Sequence, residues 1–77
     1  MQLANAIKKL NKAGFEISNN GNAYQAKGEK RLIEFFNQDA RITCIRVRHP
    51  YDKDDMMTDY HAGIYADNLT QAIRLAQ

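Results

Sequence analysis

The stretch that decides the fold is Phe15-Glu16-Ile17-Ser18-Asn19-Asn20-Gly21-Asn22-Ala23-Tyr24-Gln25-Ala26-Lys27. Apolar and polar residues alternate on both sides of an Asn-Gly pair, as they do in two half-buried strands. Asn20-Gly21 is a strong hairpin signal, because a type I′ turn needs positive φ at both central residues. Downstream, Gly28-Glu29 predicts a second tight turn, residues 31–36 a third strand, and residues 37–41 a five-residue polar turn. Residues 42–48 predict a fourth strand, rich in β-branched side chains. Pro50 and an acidic cluster place a loop over residues 50–57, and a fifth strand is expected within 56–65.

Upstream, Leu3, Ala6, Ile7, Leu10 and Ala13 recur at helical spacing, with Lys8, Lys9 and Lys12 on the other side. Gly14 is a natural stop, so a helix is predicted over 2–13. At the far end, Asp67 or Asn68 caps a last helix with Leu69, Ala72, Ile73 and Ala76 on one face. The expected fold is a two-layer α+β sandwich of order α-β-β-β-β-β-α. It has an antiparallel meander sheet of five strands, two helices on one face, and a single domain over residues 1–77.

Side chains alternate across a sheet, so the turns fix which residues share a face. The predicted turns set Ile17 opposite Tyr24, Tyr24 opposite Ile33, and Ile33 opposite Ile45. One face then gathers Phe15, Ile17, Tyr24, Ala26, Ile33, Phe35, Thr43, Ile45, Val47, Tyr60, Ala62 and Ile64, and the helices must cover it. The other face carries Glu16, Ser18, Gln25, Lys27, Leu32, Glu34, Phe36, Ile42, Cys44, Arg46, Arg48, Met57, Asp59, His61 and Tyr65. Nothing in the sequence is left to cover that face. Scattered exposed apolar residues are ordinary, but aromatic and Met side chains beside arginine are also what binding surfaces use. The candidate binding residues are therefore Leu32, Phe36, Arg46, Arg48, Met57, His61 and Tyr65.

Composition narrows the function classes. A chain of 77 residues buries only about 60% of its unfolded surface, so its stability is expected to be modest. The single Cys44 excludes an internal disulfide and suits a reducing, cytoplasmic compartment. No apolar run approaches the roughly 20 residues of a membrane span. Residues 1–48 hold nine Lys/Arg against four Asp/Glu, a net of +5; residues 49–77 hold two against five, a net of −3. This asymmetry permits an anionic partner without requiring one.

No catalytic motif is found. Cys44 would lie opposite His61 if the last hairpin kept parity, but no oxyanion hole or helix dipole accompanies the pair. Asp52-Lys53-Asp54 begins as a calcium loop does, yet Met57 stands at the turn-glycine position and Gly63 at the final glutamate position. One Cys and two distant His do not match zinc spacing. No enzyme activity, metal or cofactor is expected. Two binding readings remain. One is a protein partner, or a second copy, on the open sheet face and the 50–57 loop, which mix apolar groups with charges of both signs. The other is nucleic acid, held by Arg46, Arg48 and the lysines of the first helix.

Two resemblances bear on this. The helix–sheet–helix order resembles the layout of double-stranded-RNA-binding domains. There are too many strands, however, and Tyr65-Ala66-Asp67-Asn68 stands where their lysine cluster would be. The stretch Asp54-Asp55-Met56-Met57-Thr58-Asp59-Tyr60-His61-Ala62-Gly63-Ile64-Tyr65-Ala66-Asp67-Asn68-Leu69-Thr70-Gln71-Ala72-Ile73-Arg74-Leu75-Ala76, with Ile42-Thr43-Cys44-Ile45-Arg46-Val47-Arg48 before it, resembles small uncharacterised proteins of bacteriophages and prophages. Similar segments form accessory domains of large polyvalent mobile-element proteins. The resemblance covers residues 30–77. It implies a phage-borne accessory role in a bacterial cytoplasm, exerted by binding, and assigns no catalytic residue.

Overall fold

The computed structural model describes residues 1–48 and 64–77. It contains helix α1 (Leu3–Lys12), strands β1 (Glu16–Asn20), β2 (Ala23–Lys27), β3 (Leu32–Gln38), β4 (Arg41–Arg48) and β5 (Ile64–Tyr65), and helix α2 (Leu69–Ala76). The strands form one antiparallel sheet in the order β1-β2-β3-β4-β5. Both helices lie on the same face: α1 packs on β1 and β4, and α2 on β3 and β4. The α+β architecture is thus the one the sequence pattern predicts.

The core sits between these layers. Ala6 and Leu10 of α1 and Leu69, Ala72, Ile73 and Ala76 of α2 meet Phe15, Ala26, Ile33, Phe35, Ile42 and Val47 of the sheet side. Tyr24 stacks on Phe35 across the β2–β3 pair, with ring centroids 5.5 Å apart and planes 4° from parallel. Offset ring pairs of this kind add to what area burial contributes.

Each helix is closed by chemistry written in its ends. The Gly14 N–H donates to Asn11 and the Phe15 N–H to Leu10, with Gly14 at φ +89°. That is a Schellman motif, and its two apolar members, Leu10 and Phe15, are both buried. Asn68 caps α2 by accepting from the Gln71 N–H at 2.8 Å, while the Gln71 side chain accepts from the Asp67 N–H at 2.7 Å. The pair satisfies one orphaned donor of the first turn, the Gln71 N–H, and ties the residue ahead of the cap back onto the helix. The chain start is tied to β4. Leu3 N–H donates to Ala40, Ile42 N–H donates to Met1, and Gln2 bridges Arg41. No helix among the described residues is long and apolar enough to cross a membrane.

The hairpin registers differ from expectation in an instructive way. Gly21 and Asn22, not Asn20 and Gly21, are the central residues of the first turn, since Asn20 pairs with Ala23. Only Gly21 of the two has positive φ, +68°, the φ pattern of a type II′ turn. The second connection spans residues 28–31, because Lys27 pairs with Leu32. A Cβ on Gly28 would stand 2.6 Å from the Phe15 ring, so this turn is pressed directly onto the core. Both registers slip by two residues, which leaves every side chain on its predicted face.

The third hairpin corrects a prediction. The turn is two residues long, Asp39 and Ala40, at φ 53° and 64°, which is a type I′ turn rather than a five-residue loop. It pairs Asn37 with Ile42 and Phe36 with Thr43. Continued unbroken, that register would drive Ile45 and Val47 out of the core. A β-bulge prevents this: beyond it Glu34 pairs with Arg46 and Ile33 with Val47, so Phe35 faces Cys44 and Ile45 together. Cys44 takes the left-handed conformation, φ 52°, as the first residue of a G1-type bulge does. The two-residue turn thus buries Ile42 in the core and gives Thr43 the open face, the reverse of what alternation predicts, and Ile64, expected on the core face, pairs with Val47 but is 51% exposed.

Candidate functional site

The uncovered face of the sheet is organised in cross-strand rows. One row runs Glu16, Lys27, Leu32, Arg48; the next runs Ser18, Gln25, Glu34, Arg46, Tyr65; the third runs Asn20, Ala23, Phe36, Thr43. Directly opposed side chains in such rows lie close enough to interact.

Glu34 organises the middle row. Its Oε2 accepts from Arg48 Nη1 at 2.9 Å and from Gln25 Nε2 at 3.1 Å, and its Oε1 accepts from Arg46 Nη2 at 3.1 Å. Both ion pairs are partly buried. Burial alone would raise the Glu34 pKa. The hydrogen bonds from Arg48 and Gln25 and the charges of Arg48 and Arg46 outweigh it, and the carboxyl titrates below its ordinary value. Held as an anion by three donors, Glu34 aligns the two guanidinium groups along the sheet. Their planes are thereby pre-ordered, which reduces the entropy lost in any later contact.

Beside this pair lies a shallow concavity of about 190 Å³ whose lining includes Ala23, Glu34, Phe36, Cys44, Arg46 and Tyr65. Phe36 and Tyr65 are 49% and 70% exposed, large apolar surface that no part of the described chain covers. Cys44, the single cysteine, is exposed. The bulge that keeps Ile45 and Val47 on the core side also brings Cys44 to the concavity. That role was missed in the sequence; the signal for it is the spacing Ile42, Ile45, Val47, which breaks strict alternation once, at Cys44.

Of the seven predicted binding residues, Phe36, Arg46 and Tyr65 come together at the concavity. Arg48 stands next to them through Glu34. Leu32 does not offer exposed surface: it is 9% exposed, although alternation places it among the open-face rows. Met57 and His61 lie outside the described residues, as does the 50–57 loop. A Cys44–His61 pairing would put Arg46 opposite Asp59, whereas Arg46 is opposite Tyr65. The structure also divides the predicted nucleic-acid surface. Lys8, Lys9 and Lys12 belong to α1, on the covered side of the sheet, while Arg46 and Arg48 project from the open side. Among the described residues, no three His, Cys, Asp or Glu side chains converge as a metal site requires.

No family model, curated protein or solved structure matches the chain.

Proposed function

We propose that the chain is a non-enzymatic binding module that docks a protein partner on its open sheet face. The observation that carries this reading is the pair of exposed rings, Phe36 and Tyr65, at a concavity lined also by the Glu34–Arg46 ion pair. Aromatic anchors beside an ordered arginine are the side chains that dominate protein–protein binding energy. Charges of both signs on this face, Glu34 against Arg46 and Arg48, suit a protein surface better than a uniformly anionic ligand. The 50–57 loop belongs to the same proposal through its place in the sequence before β5. The resemblance of residues 30–77 to phage and prophage accessory proteins supports a binding role in a bacterial cytoplasm, and the single unbridged cysteine fits that compartment.

The test is a paired capture from bacterial lysate with the wild-type chain and a Phe36→Ala/Tyr65→Ala variant. Both residues are exposed, so the variant should keep its fold to within about 0.5 kcal/mol each. We expect a protein held by the wild type and lost with the variant, with each truncation weakening binding by about 2 kcal/mol. An identical captured set from both, with the fold intact by circular dichroism, contradicts the proposal.

A further inference from the structure

We propose that the helix layer is a second and separate binding surface, one that docks on the phosphate backbone of a nucleic-acid duplex. It lies on the opposite side of the sheet from the concavity and does not depend on the open-face reading.

Helices α1 and α2 together carry Lys8, Lys9, Lys12 and Arg74 and no acidic side chain. Asp67, just ahead of α2, lines one shallow hollow with Thr70, Gln71 and Arg74, so a single carboxylate borders the α2 end of this layer among the residues of that hollow. These cations form one surface. Lys8 and Lys12 are a helical turn apart and exposed, separated by about 6 Å of rise. Lys9 reaches across and donates its Nζ proton to the Thr70 hydroxyl of α2, which ties the two helices side by side. Arg74 follows Thr70 by four residues, so the same face of α2 continues the row. The exposed polar residues of the two helices include Asn5, Asn11, Thr70 and Gln71.

This composition selects one kind of partner. Lys, Arg, Asn, Gln and Thr are the side chains that contact phosphate oxygens. Lysine is depleted at protein–protein interfaces, which argues against a protein on this side. No large apolar side chain is exposed anywhere in α1 or α2, because both apolar stripes are spent on the core. A membrane-surface helix needs that apolar face, so an anionic bilayer is a poor fit. Neither helix contains an aromatic residue, so unstacked bases of a single strand would find no platform. A duplex, presenting phosphates without exposed base faces, is what remains.

Fluorescence anisotropy with a labelled mixed-sequence DNA duplex and an RNA duplex, at stepped salt concentrations, tests the proposal. Four phosphate contacts predict weak, sequence-independent binding with a slope of log K against log salt of about −3 to −4. Lys8→Glu/Lys12→Glu, at exposed positions off the core, should weaken low-salt binding by about tenfold or more and flatten the slope by about two. Phe36→Ala should leave duplex binding unchanged. The proposal is overturned if neither duplex binds at low salt. It is equally overturned if the lysine reversals have no effect in a folded variant, or if phosphatidylserine vesicles bind more tightly than either duplex.

Discussion

Glu34 shows how one residue sets the character of a surface. Its carboxylate receives Arg48, Gln25 and Arg46 at once, and these contacts hold its pKa below the ordinary value of 4.5 despite burial. A group whose folded pKa is depressed contributes stability above its unfolded pKa, and that contribution is lost as pH falls through the folded pKa. The wild type should therefore lose stability on acidification from about pH 4.5 downward. Glu34→Gln should cost about 1–2 kcal/mol at neutral pH, as expected for charged hydrogen bonds that are only partly buried. The gap between the two proteins should close as pH falls through the acidic range. Urea unfolding of both across that range measures it, and a gap that stays constant contradicts the assignment. The sequence placed Glu34 beside the arginines. It did not show that one carboxylate serves both, because that depends on the register of β3 against β4.

At the level of elements, the outcome turned on parity. A hairpin register can slip by two without moving any side chain to the other face, so the β1–β2 and β2–β3 errors left the core legible. The β3–β4 hairpin was not legible in the same way. Its two-residue turn shifts parity by one, and the bulge at Cys44 shifts it back. The two departures cancel for Ile45 and Val47 and leave Ile42 and Thr43, between them, exchanged. The spacing of Ile42, Ile45 and Val47 is the one trace of this in the sequence. The backbone at Cys44 provides the test. Cys44→Gly removes the cost of a left-handed residue with a Cβ and should leave stability unchanged or raise it by up to about 1 kcal/mol. Cys44→Val, β-branched at positive φ, should destabilise by about 1–3 kcal/mol. Thermal unfolding of the two variants reads the difference; equal stabilities would mean that residue 44 is not a bulge residue.

At the scale of the whole molecule, the sheet separates two unlike surfaces. The helix side ends in a cationic polar layer, and the open side presents exposed rings around an ordered ion-pair row. The covered side followed from the helical stripes and the strand alternation, since both apolar surfaces needed a partner. The lining of the open-side concavity was only partly legible. Phe36, Arg46 and Tyr65 converge as expected, but Leu32 is buried and Cys44 joins them through the bulge. Because Cys44 is the chain's single cysteine, it gives direct access to that concavity. The measurement closest to the central claim is the capture experiment repeated with Cys44 alkylated by a bulky maleimide. An intact fold with the partner protein no longer captured is the predicted result; capture undiminished by the adduct would contradict a binding site at this face.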